Sequence, residues 1–213
     1  MKTPDHSAIE GICRLAPVIP VLTIDDPETA VPLAKALVAG GLYALEVTLR
    51  TPAALDAIEA MADGVPEATV GVGTLRTADD VKAAAQAGAK FGVSPGFSDT
   101  ILDAVEKAKM PLLPGVATPS EAMAVAERGM TVMKFFPAEA NGGAPVLAAW
   151  ASPLADLRFC PTGGIGTANA RDYLSLPNVL CVGGSWVAPK QAVAAGDWDT
   201  VTRLAQEAAT LAA

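Results

Sequence analysis

The 213-residue chain has a single histidine, His6, and it falls in an N-terminal segment expected to be mobile. Ser-His or Cys-His nucleophilic systems and histidine-based metal sites therefore have no imidazole available in the core. Three cysteines, Cys13, Cys160 and Cys181, show no CxxC spacing. That argues against a disulfide framework or a zinc knuckle and for reduced thiols in a cytoplasmic protein. Positive charge is also scarce, 15 Lys and Arg against 23 Asp and Glu, for a formal net charge of −8 and a pI near 4.6. Nucleic acid and anionic membranes are thereby disfavoured as main partners, while a local basic pocket for a small anion, such as a phosphorylated metabolite, remains compatible. Mean hydropathy is high at +0.36, yet Gly, Pro or a charge interrupts each apolar run before the roughly 18 residues a membrane span requires. The opening MKTPDHSAIEGICR carries Asp5, Glu10 and Arg14 and has no continuous apolar stretch of the signal-peptide kind. Linkers and low-complexity tracts are missing, and the length suits one domain over residues 1–213.

Eight short apolar or β-rich runs are present: 17–23, 43–49, 68–74, 90–95, 110–116, 131–137, 157–164 and 178–185. Ala-rich segments with helical spacing separate them, several ending in Gly, and the tail from Asp197 reads as a final amphipathic helix. Buried strands alternating with helices form parallel sheets covered on their outer side. The expected fold is therefore α/β, a single (β/α)8 TIM barrel with an N-terminal helix. A doubly wound open sheet is the structural alternative; it would normally have fewer strands, and no GxGxxG follows the first run.

Period-two alternation in YALEVTLR turns Leu45, Val47 and Leu49 to one face and Glu46 and Arg50 to the other. Barrel strands pack their outer face on apolar helices, so Glu46 points inward with Arg50 near the C-terminal end. The same parity in TVMKFF sends Met133 and Phe135 outward and Val132, Lys134 and Phe136 inward. An uncompensated ammonium in an apolar interior is costly, so Lys134 is paired, exposed or used. Glu46 and Lys134 lie on the second and sixth strands, and interior layers draw on alternate strands, so the two can face each other. A structural ion pair is one reading; against it, a buried pair is often no more stable than an apolar replacement. The other lysines, 2, 35, 82, 90, 107, 109 and 190, look peripheral.

PTGGIGTANARDYL and CVGGSW end the last two strands. Gly163 and Gly164 allow backbone N–H groups to approach a ligand, Thr167 is placed to N-cap a helix, and Ser185 after Gly184 adds a hydroxyl. Barrels frequently bind phosphate with the loops after strands seven and eight. No inward-facing acidic cluster for Mg²⁺ appears beside Glu46, and no cofactor is required.

The segments GLYALEVTLR (41–50), GMTVMKFFPAEANGG (129–143), RFCPTGGI and LCVGGSW together resemble the 2-keto-3-deoxy-6-phosphogluconate (KDPG/KHG) aldolase family, a likeness running from APVIPVL to CVGGSWVAPK. The resemblance implies a metal-independent class I aldolase of the Entner–Doudoroff route, with KDPG as substrate and 4-hydroxy-2-oxoglutarate as a second expected one. It implies that Lys134 forms a Schiff base and Glu46 is general acid/base. Arg50, Thr74 and Thr162 would hold the substrate carboxylate, Pro95 and Phe136 would line the pocket, and Gly163, Gly164, Gly184 and Ser185 would receive the phosphate. It also implies a cytoplasmic homotrimer. Val72 in VGVGT and Phe97 in SPGFS depart from the family pattern near the pocket. Two readings compete: a sugar-phosphate isomerase or epimerase with Glu46 as base and no imine, and a non-catalytic phosphometabolite-binding barrel.

Overall fold

The computed structural model describes residues 7–211; His6 and Lys2 lie outside them. Strands β1 (Val18–Leu22), β2 (Ala44–Thr48), β3 (Thr69–Gly73), β4 (Phe91–Val93), β5 (Leu112–Leu113), β6 (Gly115–Val116), β7 (Val132–Phe135), β8 (Arg158–Pro161) and β9 (Val182–Gly184) fall within the eight expected runs. All named pairings are parallel, in the order β5-β4-β3-β2-β1-β9 and β6-β7-β8. The fifth run is divided because Pro114 brings no N–H to the ladder. Its first half pairs with β4 and its second with β7. At the other seam the bridges Phe159–Val179 and Thr162–Gly183 join β8 to the last run. The cylinder thus closes as a barrel of eight chain segments.

Helices α2 (Ala30–Ala39), α3 (Ala54–Gly64), α4 (Ala78–Gln86), α5 (Asp99–Ala108), α6 (Pro119–Glu127), α7 (Ala144–Trp150), α8 (Ala170–Leu174) and α9 (Lys190–Ala195) alternate with the strands. α10 (Trp198–Ala209) is the expected terminal helix, N-capped by Asp197, whose Oδ1 accepts from the Thr200 N–H at 3.1 Å. No described helix is long and apolar enough to cross a membrane.

Strand parity sorts the core into two shells. Leu45, Val47, Met133 and Phe135 join the outer shell between sheet and helices. Trp150 packs there edge-on to Phe135 and Phe159, with centroids at 5.3 and 5.5 Å. The inner shell is Ile19, Ala44, Phe91, Val93, Leu113, Val132, Cys160 and Cys181. Ile9 and Cys13 of α1 (Ser7–Cys13) belong to it too, so this helix plugs the N-terminal mouth of the barrel. All three cysteines therefore meet in one buried cluster, as free thiols. The neighbouring Cys13 and Cys160 thiols, together with burial, push the Cys181 thiol well above its ordinary range. Such a thiol stays protonated and inert.

Candidate active site

Above this apolar plug the barrel interior becomes polar. Glu46 on β2 and Lys134 on β7 are both buried, and the Lys134 Nζ lies 3.6 Å from Glu46 Oε1, their side chains 5% and 4% exposed. The six other described lysines are exposed. Parity therefore placed both groups correctly, and the barrel brings them face to face. The carboxylate has room because β3 carries Gly73 opposite it: a Cβ there would sit 2.2 Å from Glu46 Oε1. Lys134 Nζ also lies 4.9 Å from the centroid of the Phe136 ring. At 3.6 Å the pair is longer than a hydrogen bond, and Glu46 Oε1 has no hydrogen-bond partner among the described residues. Thr162 Oγ1, also buried, is likewise unpartnered.

Phe136 and Thr162 form part of the wall of a cavity of about 700 Å³ at the C-terminal end of the barrel, where Arg50, Gly163, Gly164, Gly184 and Ser185 also line it. Thr74 and Pro95 follow β3 and β4 at the same face but are not among its walls. Pro95 lies against Gly115, the register partner of Lys134, where a Cβ would meet the Pro95 carbonyl oxygen at 2.3 Å. Thr74 has φ 67°, a conformation a β-branched residue adopts at a cost of about 1–3 kcal/mol. Strain of this kind persists only where surrounding structure imposes it, and it clusters at functional sites. Val72 and Phe97 pack in the outer shell and do not face this cavity.

Hydroxyls place Arg50. Thr48 Oγ1 donates to the Leu22 carbonyl at 2.8 Å and Thr51 Oγ1 donates to that of Ile24, tying the end of β2 to the end of β1. Within that turn the Arg50 N–H donates to the Thr48 carbonyl at 2.7 Å. No carboxylate of the described residues is within ion-pair distance of the guanidinium.

The glycine loop after β8 is coupled to the chain following Lys134. The Ala138 N–H donates to the Thr162 carbonyl at 2.8 Å and the Glu139 N–H to that of Gly163 at 3.1 Å. Gly163 and Gly164 both have positive φ, 103° and 79°, and a Cβ on Gly164 would meet Glu139 at 2.7 Å. Glu139 is itself held by a hydrogen bond from the Tyr173 hydroxyl, which burial and then that carboxylate push above its usual range. Thr167 does not cap a helix, contrary to the expectation above. The chain first turns through Gly166–Asn169, so α8 starts only at Ala170. The Asn169 side chain reaches back instead: its Oδ1 accepts from the Gly166 N–H at 2.8 Å and its Nδ2 donates to the Gly164 carbonyl at 3.1 Å. Sequence reasoning missed Asn169, although an Asn shortly after a Gly-rich turn is a known signal for side-chain-to-backbone bonding.

Residues 9–204 match the model of the KDPG and KHG aldolase family. The chain belongs to that family. It is 52% identical to the KHG/KDPG aldolase of Escherichia coli K12 over 208 residues, covering 98% of this chain and 97% of that protein. Among solved structures, the KDPG aldolase of Legionella pneumophila, with pyruvate captured as a covalent carbinolamine, superposes with a TM-score of 0.92 at 44% identity, covering 94% and 98% of the two chains. The aldolase of Zymomonas mobilis with 3-phosphoglycerate gives 0.91 at 46% identity, covering 98% and 97%. For this KDPG/KHG aldolase family member the doubly wound alternative is closed, since the sheet curls into the barrel of its structural neighbours.

Proposed function

We propose that this chain is a class I aldolase that cleaves 2-dehydro-3-deoxy-6-phosphogluconate to pyruvate and glyceraldehyde 3-phosphate, with 4-hydroxy-2-oxoglutarate as a second substrate. The observation that carries the reading is the buried amine of Lys134 set against Glu46 beside the cavity of Arg50 and the glycine loops. The neutral Lys134 amine attacks the C2 ketone; water leaves, and the protonated imine becomes the electron sink for the C3–C4 bond. Glu46 takes the C4 hydroxyl proton as that bond breaks, releasing the aldehyde and leaving the pyruvate enamine. It then assists protonation of the enamine carbon and hydrolysis of the imine, which frees pyruvate and regenerates the amine. No metal or cofactor enters these steps.

Arg50 is the bidentate partner of the substrate carboxylate, a geometry its planar fork permits. Thr74 and Thr162 assist it with hydroxyls, Phe136 gives the cavity its apolar wall, Pro95 backs the Lys134 strand through Gly115, and Gly163, Gly164, Gly184 and Ser185 hold the phosphate with backbone and hydroxyl donors. Homotrimeric assembly and a cytoplasmic location are proposed on the family resemblance alone.

Borohydride reduction in the presence of pyruvate tests the reading. The expected result is one covalent adduct per chain, on Lys134, together with cleavage of the phosphorylated keto acid. Active enzyme with an unmodified Lys134 would instead favour the isomerase or epimerase chemistry, in which no imine forms.

A further outcome concerns Asn169. Its two hydrogen bonds order the glycine loop without reaching the amine, so Asn169→Ala should raise KM for the phosphorylated substrate about 3- to 10-fold. Pyruvate trapping should stay close to wild type. Loss of trapping would show that Asn169 supports the whole barrel end rather than the loop.

A further inference from the structure

The phosphate-binding group proposed above is electrically neutral: three glycines and a serine offer N–H and O–H donors but no charge. A phosphate monoester brings about −1.5 to −2 charges at neutral pH. The walls of the 700 Å³ cavity contain two cationic residues, Arg50 and Lys190, and no carboxylate residue. Arg50 is engaged by the substrate carboxylate in the proposed mechanism, which leaves Lys190 for the other end. Lys190 opens α9 and follows Ser185 by five residues, and Ser185, Ala188, Pro189 and Lys190 all line the cavity, so one turn carries both the hydroxyl and the ammonium.

Lys190 is exposed, and no carboxylate of the described residues is within ion-pair distance of it. Among the described residues its charge is therefore not committed elsewhere. It also borders a second, smaller cavity of about 280 Å³, which it shares with Thr23 and Ala188 and whose walls include Asp25 and Asp26. Lys190 thus lines two cavities, one walled by the glycine loops and the other by two acidic residues.

We propose that Lys190 is a specificity-determining residue of this chain, the cation that selects phosphorylated over unphosphorylated keto acids. The proposal rests on the class I aldolase reading. A flexible four-carbon stem lets a point charge follow the phosphate without a fixed geometry. Because the group is exposed, its attraction is screened by solvent and salt, so the gain in selectivity is modest and depends on ionic strength.

The test measures kcat/KM on the 6-phosphorylated keto acid and on its unphosphorylated analogue for the wild type and for Lys190→Gln, Lys190→Glu and Lys190→Arg. The ratio of the two values should fall about 3- to 5-fold in Lys190→Gln, and further in Lys190→Glu, where repulsion replaces attraction. Lys190→Arg should keep most of it, and raising the salt concentration should narrow the gap between wild type and Lys190→Gln. A ratio that stays constant, or equal losses on both substrates, overturns the role of Lys190 even if pyruvate trapping of the wild type succeeds. A wild type that forms no borohydride adduct with pyruvate overturns the aldolase reading and this proposal with it.

Discussion

Replacing Lys134 with methionine is expected to abolish both the borohydride adduct and cleavage, lowering kcat by about 10⁵-fold or more, as losing a covalent nucleophile does. Methionine keeps the length and most of the apolar volume of the lysine stem but has no amine to condense with a ketone. The same change leaves Glu46, almost wholly buried, without its cation. Removing one member of a buried pair costs about 3–5 kcal/mol, so the melting temperature should fall as well. Adding Glu46→Gln to Lys134→Met should recover much of the stability and none of the activity. That double variant separates chemistry from folding: pyruvate release by Lys134→Met within tenfold of wild type would remove the imine from the mechanism.

Glu46→Gln alone is the second large effect. The amide fits the space that Gly73 leaves open, and it cannot accept the C4 hydroxyl proton. Turnover should drop about 10²–10⁴-fold, the usual contribution of a positioned general base. Trapping of pyruvate on Lys134 should persist, since the amine remains. Near-normal kcat in this variant would assign the proton transfer to another group.

Both expectations follow from how poorly the pair serves stability. A separation of 3.6 Å gives no hydrogen bond, and Oε1 has no other partner among the described residues. Burying two charges costs several kcal/mol per ion, repaid only with excellent geometry and satisfied lone pairs. Stability alone would be better served by apolar side chains such as those that fill the layer beneath. A carboxylate oxygen left unpaired next to a buried amine is instead an arrangement that suits proton transfer to and from a third molecule.

Much of this was legible in the chain itself, because two of its controls are local. Side-chain direction along a strand has period two, so parity alone put Glu46, Lys134 and Phe136 inside and Leu45, Val47, Met133 and Phe135 outside. Alternation of short apolar runs with Ala-rich segments specified eight strands, and the missing N–H of Pro114 moved only the pairing within the fifth. The family motifs carried the residue assignments. What depended on closure of the barrel was not legible, since it joins positions far apart in sequence. The 3.6 Å approach of Lys134 to Glu46, the meeting of Cys13, Cys160 and Cys181 under α1, and the hydrogen bonds linking Ala138 and Glu139 to the glycine loop are of this kind. Asn169, turned back onto its loop rather than capping α8, and Lys190, lining two cavities with no ion-pair partner among the described residues, were decided there too. Local preference sets which way a side chain points. Only the closed barrel sets what it meets, because that distance is the sum of every strand tilt and turn between.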